Sequence, residues 1–178
     1  DVDIGPDGHM YFCVGGRKGQ SYLYRVRYTG NQSTELSPLD TSSKHYQARK
    51  TRHSLESFHG APNPKAIESV WSYLSSEDYH LRYAARIAIE WQDPKTWADK
   101  AYNETNDIAA IHSLLGLARC DFDGSKQPSI DRLLKVDFNK LDKTGKLALL
   151  RTYSVIMSRA GKATEKQIIA LGKQLDPH

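Results

Sequence analysis

The chain has 178 residues, of which 39% are apolar and 26% charged, with a formal net charge of +4. That is enough for one core-bearing domain with an appended element, and no apolar tract is long enough for a transmembrane helix. The excess of positive charge is small and interspersed with acids, which argues against nucleic acid as the main partner.

The first residue is Asp1, with neither an initiator Met nor an apolar signal segment after it, which predicts that the natural N-terminus was lost to processing or truncation. Cys13 and Cys120 are too far apart in sequence for a CxxC or CxxCH unit, so this chain carries no attachment motif for c-type haem and no zinc cluster. Two buried free thiols are expected, since a disulfide requires Cα atoms within about 7 Å.

Residues 1–29 read as β structure. Val2 and Ile4 lead into Gly5-Pro6-Asp7-Gly8, a tight turn in which Pro fixes φ and Gly8 accepts a positive φ. A second strand, His9 to Val14, alternates Met10, Phe12 and Val14 with Tyr11 and Cys13. A third, Tyr22 to Tyr28, follows the Gly15-Gly16-Arg17-Lys18-Gly19-Gln20 loop and is rich in β-forming aromatics. Three antiparallel strands result, with too little apolar face to be stable alone, so the sheet is expected to pack on the helices or on strands outside this chain. Residues 30–43 are polar and rich in turn formers, and form a linker.

From Lys44 to His178 the pattern is helical. Asn63-Pro64 supplies a cap and a first-turn proline for one amphipathic helix carrying Ile67, Val70, Trp71 and Leu74, which breaks at Ser75-Ser76. The next helix has one stripe of Leu81, Ala84, Ala85, Ala88 and Ile89 and a second of Tyr83, Ile87 and Trp91, which predicts burial on two sides. Asp93-Pro94 repeats the cap, with Trp97, Ala98, Ala101 and Tyr102 inward. Asn106 opens a helix with Ile108, Ile111, Leu114, Leu115 and Ala118. Gln127-Pro128 starts a short helix with Ile130, Leu133 and Leu134. Asp142 caps a longer one, carrying Leu147, Leu150, Tyr153, Ile156 and Met157, that stops at Gly161. Thr164 with Gln167 makes a capping box for the last helix, with Ile168, Ile169 and Leu171. A short helix followed by a longer, more apolar one recurs at about 28 to 36 residues, the signature of an α-solenoid.

Two stretches also carry a family likeness. Gly5-Pro6-Asp7-Gly8, the Met10-Tyr11-Phe12 strand, Gly15-Gly16-Arg17 and Leu23-Tyr24-Arg25-Val26 resemble a late β-propeller blade of soluble quinoprotein sugar dehydrogenases. Leu55 to Gly60, Arg82 to Glu90 and Leu149 to Tyr153 resemble the HEAT-like region that follows such a propeller. Together they resemble the large secreted propeller–HEAT–cytochrome c proteins of planctomycete and verrucomicrobial type. The resemblance implies a mainly α fold, a HEAT-like solenoid of antiparallel helix pairs after a partial propeller blade, with both ends of the parent protein missing. It implies a periplasmic or secreted location. Haem c, and a quinone with calcium, are implied only for the parent, and no cofactor for this segment.

Catalytic chemistry has no candidate here, because no nucleophile, base and orienting group recur at a recognisable spacing. Asp1, Asp3 and Asp7 suit a calcium ion or a turn, but Gly5 stands where an EF-type loop needs an oxygen ligand. Gly15 to Ser21 lacks the following helix that a phosphate loop needs. Lys44, Arg49, Lys50 and Arg52 form an acid-free basic stretch with His45 and His53. It is either a solvated helix surface or a seat for an anionic partner such as a polysaccharide, a phospholipid or another protein. His45 and His53 share a face without a third metal ligand. Trp71, Trp91, Trp97, Tyr73, Tyr83 and Tyr102 have helical spacing, which favours packing over sugar or base stacking. Asp78, Glu90, Asp93 and Asp99 are explained by capping and surface pairing.

The expected function is a non-catalytic scaffold or protein-interaction module, whose partners are the remaining domains of its own polypeptide and another protein. The competing reading makes the chain part of a propeller sugar or alcohol dehydrogenase with catalytic residues elsewhere, contributing rim contacts through Tyr11, Arg17 and Lys18. A third, nucleic-acid binding by a basic solenoid, is the weakest.

Overall fold

A computed structural model describes residues 2–16, 18–35, 38, 40–120, 122–160 and 163–176. The chain divides into two compact units, residues 1–39 and 40–178.

In the first unit, β1 (Val2–Ile4), β2 (Met10–Val14) and β3 (Tyr22–Val26) form an antiparallel sheet in the order β1-β2-β3. The turn forms for the reason the sequence suggests: Gly5 N–H donates to the His9 carbonyl at 2.9 Å, and Gly8 takes φ of 76°. The register pairs Val2 with Phe12, Ile4 with Met10, Met10 with Val26, Phe12 with Tyr24 and Val14 with Tyr22. Because side chains alternate across a strand, these eight residues share one face. Phe12 and Tyr24 stack there, ring centroids 5.3 Å apart. Seven of the eight, from Val2 at 65% exposure to Met10 at 37%, are exposed, which leaves that face largely in solvent apart from half-buried Phe12.

The second unit is helical: α1 (Lys44–Glu56), α2 (Ala66–Val70), α3 (Tyr79–Glu90), α4 (Ala98–Tyr102), α5 (Asp107–Arg119), α6 (Lys126–Leu133), α7 (Lys143–Ala160) and α8 (Glu165–Leu175). Ser43, Asp78, Asn106 and Thr164 each cap a helix through a side-chain oxygen, and Asp142 Oδ1 accepts from Gly145 N–H at 2.7 Å at the head of α7. Thr164 and Gln167 form the reciprocal capping box. Asp78 takes both His80 N–H, at 2.7 Å, and Leu81 N–H, at 3.3 Å. Asp78→Ala is therefore expected to destabilise this unit by about 1 kcal/mol, read as a lower urea midpoint at unchanged slope.

Two of the expected caps act differently. Asn63 Oδ1 accepts from Lys65 N–H, and Ala66 N–H donates to the Asn63 carbonyl, so Asn63-Pro64 forms a turn and α2 begins only at Ala66. The expected single helix then tightens at Trp71 into a 3-10 helix, Trp71–Ser75. Asp93-Pro94 likewise opens a 3-10 turn, Pro94–Thr96, which ends at Trp97 with φ of −138° before α4. Such i→i+3 turns satisfy donors that would otherwise be orphaned at a helix start.

Helix α1 packs on α3, α3 on α5 and α5 on α7, while α2, α4 and α6 pack on α3, α5 and α7 in turn. The core lies between these two rows and includes Leu74, Ile89, Trp97, Leu114, Leu133 and Leu149, none more than 1% exposed. Three expectations about facing are corrected. Tyr83 and Trp91 are 49% and 48% exposed, because α1, α2 and α5 already cover the other flanks of α3. In α7, Leu147 and Leu150 face solvent, and Leu149, Thr152, Tyr153 and Ile156 are the buried side. In α8, Ile168 and Ile169 are exposed while Gln167 is buried, since its amide both closes the capping box and donates to Asp131 Oδ1 at 2.9 Å.

Candidate functional site

Side chains three and four residues apart share a helix face. On α3 this groups Tyr79, Arg82, Tyr83 and Arg86; on α5, His112, Leu115 and Arg119; on α7, Ala148, Arg151 and Val155. Because α3, α5 and α7 pack in succession, the three stripes line one groove of about 290 Å³. Four arginines and no carboxylate line it among the described residues. It continues, through the shared Arg82, His112 and Ala148, into a recess of about 370 Å³ that Glu77, Thr144 and Asp142 also border.

The four guanidinium groups are in different states. Arg86 pairs with Glu90 through Nη1 and Glu90 Oε1, and Arg119 Nε lies 3.0 Å from each Glu90 oxygen, so one carboxylate serves two cations. This pairing pushes the Arg119 pKa up. Arg86 also stands 5.1 Å from the centre of the Tyr83 ring, which stacks on Tyr79 with centroids 6.1 Å apart. Arg82 has no carboxylate: its Nη1 donates to the Ser76 and Glu77 carbonyls at 2.5 and 2.9 Å, and its buried Nε has no acceptor among the described residues. Arg151 is exposed and has no hydrogen bond or ion pair among the described residues. Among the described residues, the groove thus keeps two cations without a paired carboxylate.

His112 lines both the groove and the recess. Burial, reinforced by the Arg82 and Arg86 charges, pushes its pKa down to about 4, so the ring is neutral near pH 7. Folding then disfavours protonation: between pH 6.5, the ordinary value, and about 4, the unfolded chain binds a proton that the folded one refuses. Stability is expected to fall as pH drops through that window, by at most about 3 kcal/mol, and His112→Gln to remove this share. Urea midpoints at pH 7 and pH 4.5 for both proteins check it.

The basic stretch expected to meet an anion lies on α1. Arg52 pairs with Glu56 at 3.1 Å and Arg49 Nε donates to His53 Nε2 at 3.4 Å, while Lys44 and Lys50 are exposed. His53 Nδ1 is 2.9 Å from Glu56 Oε2, so both its ring nitrogens are engaged within α1. In the β unit, the Tyr11 hydroxyl donates to Asp7 Oδ2 at 2.6 Å and braces the turn. Lys18 is exposed with φ of 68°, and Arg17 lies outside the described residues. Asp7 also accepts from His9 N–H at 3.1 Å, and Asp3 from its neighbour Ile4 N–H, so both carboxylates serve the turn and strand; Asp1 lies outside the described residues.

Cys13 and Cys120 are free thiols, but Cys13 is exposed rather than buried, because neither face of the small sheet carries enough neighbouring side chains to cover it. Cys120 is half-buried, and burial followed by the Glu90 charge pushes its pKa up to about 11. The two cysteines lack the CxxCH spacing, and no group of three or more His, Cys, Asp or Glu side chains that could hold a metal ion occurs among the described residues. Of the tryptophans, Trp71 and Trp97 are core, meeting edge to face at 6.3 Å, and Trp91 is the exception.

The groove residues Arg82, Arg86, His112, Arg119 and Arg151 were not singled out by sequence reasoning. The available signal was a repeated arginine on the polar flank of successive apolar helices. No model of a known protein family, no curated protein and no solved structure matches this chain. No helix among the described residues is long and apolar enough to cross a membrane.

Proposed function

We propose that residues 40–178 are a HEAT-like solenoid acting as a non-catalytic interaction module, which receives an anionic segment in the groove of α3, α5 and α7. The observation that carries this reading is the alignment of three stripes into one groove with four arginines and, among the described residues, no carboxylate in its lining. The row-by-row packing of α1, α3, α5 and α7 against α2, α4 and α6 supports the solenoid, since stacked helix pairs bury one another in series. The resemblance to propeller–HEAT–cytochrome c proteins supports a place between a propeller and a redox module of a periplasmic or secreted parent, with the chemistry in those neighbours. A second reading is favoured by the eight-residue apolar face of the sheet, which suits a blade that completes itself against other strands. There the chain contributes to a propeller sugar or alcohol dehydrogenase.

Fluorescein-labelled hexaglutamate and hexalysine test the groove. Hexaglutamate is expected to bind, more weakly as salt rises, and Arg151→Glu to reduce its affinity about tenfold, the effect of one reversed charge pair. Equal binding of both probes, or hexaglutamate binding that ignores Arg151→Glu, overturns the reading.

A further inference from the structure

The groove is not uniformly polar. Between its arginines, Leu115 of α5 with Ala148 and Val155 of α7 form an apolar floor, and the stacked rings of Tyr79 and Tyr83 form one wall. Resting on the interaction-module reading above, we infer that the occupant is a short acidic segment of a partner protein carrying one aliphatic or aromatic anchor residue. The anchor lies on Leu115, Ala148 and Val155, and flanking carboxylates pair with Arg82 and Arg151.

Charge favours this occupant over a longer polyanion. Glu90 already shows how a carboxylate seats on this face, held between Arg86 and Arg119. It leaves Arg82 and Arg151 as the two groove cations lacking a carboxylate among the described residues. The adjoining recess is bordered by Glu77 and Asp142, which repel an anion extending that way. A nucleic-acid strand brings a phosphate with every nucleotide and needs a continuous basic track. A groove of about 290 Å³ with two cations to satisfy and an apolar centre instead suits one anchor with acidic neighbours.

The test uses three fluorescein-labelled probes on the full chain, read by anisotropy: a peptide with a central leucine between paired glutamates, the same peptide with central glycine, and a single-stranded oligonucleotide of equal charge. The leucine peptide is expected to bind about tenfold tighter than the glycine peptide, since burying one aliphatic side chain supplies at least that factor. Ala148→Phe, which fills the floor without touching a charge, is expected to abolish the difference. Arg151→Glu is expected to weaken both peptides alike. Circular dichroism confirms that each variant is folded, and the leucine-to-glycine ratio on the unaltered protein stands as a test without them. Equal binding of the two peptides, still dependent on Arg151, overturns the anchor and leaves the interaction-module reading intact. Tighter binding of the oligonucleotide makes nucleic acid the partner and overturns the inference. Binding of none overturns both.

Discussion

Glu90→Ala is expected to lower the stability of the helical unit by about 3 kcal/mol, more than any other single change on the groove face. The Arg86 and Glu90 side chains are only 9% and 13% exposed, so removing the carboxylate leaves a largely buried guanidinium without its counter-charge. Arg119, at 44%, rehydrates when its partner is lost, so most of the effect comes from Arg86. Arg119→Ala is accordingly expected to cost about 0.5 kcal/mol, the range of an exposed pair. Urea denaturation at pH 7 reads both. Equal losses for the two variants contradict the assignment of Arg86 as the buried member of this triad.

Trp97→Ala is expected to cost about 4 kcal/mol, and Trp91→Ala no more than about 0.5 kcal/mol. Trp97 is 1% exposed, meets Trp71 edge to face, and lies so close to α5 that a Cβ added at Gly116 would be 3.5 Å from its ring. No described group accepts from its indole N–H, which is buried. Trp97→Phe removes that unsatisfied donor and is expected to lose about half as much as the alanine variant. Thermal midpoints of the three variants provide the check, and a large loss for Trp91→Ala contradicts the exposure of that ring.

What could be read from the sequence was local. Gly5-Pro6-Asp7-Gly8 makes its turn from local preferences, backbone and the Asp7 side chain together, and Asn106, Asp142 and the Thr164–Gln167 box cap helices because their partners are three residues away. Asn63-Pro64 and Asp93-Pro94 mark the right places, but Asn63 closes a turn ahead of α2 and Asp93 caps a 3-10 turn ahead of α4. The faces of two-sided helices could not be read. Tyr83, Trp91, Leu147 and Leu150 are as apolar as the residues that are buried, and only the identity of the neighbouring helix decides which stripe is covered. The groove was hidden for the same reason. Arg82, His112 and Arg151 lie on three helices, and nothing but their packing order brings them together.

The most direct test of the anionic groove is nitrogen–proton NMR of the labelled chain during hexaglutamate titration. Shifts concentrated at Arg82, His112, Leu115, Ala148, Arg151 and Val155 are the predicted result. Shifts concentrated on α1, at Lys44, Arg49, Lys50 and Arg52, would contradict it and move the anion site to the basic stretch.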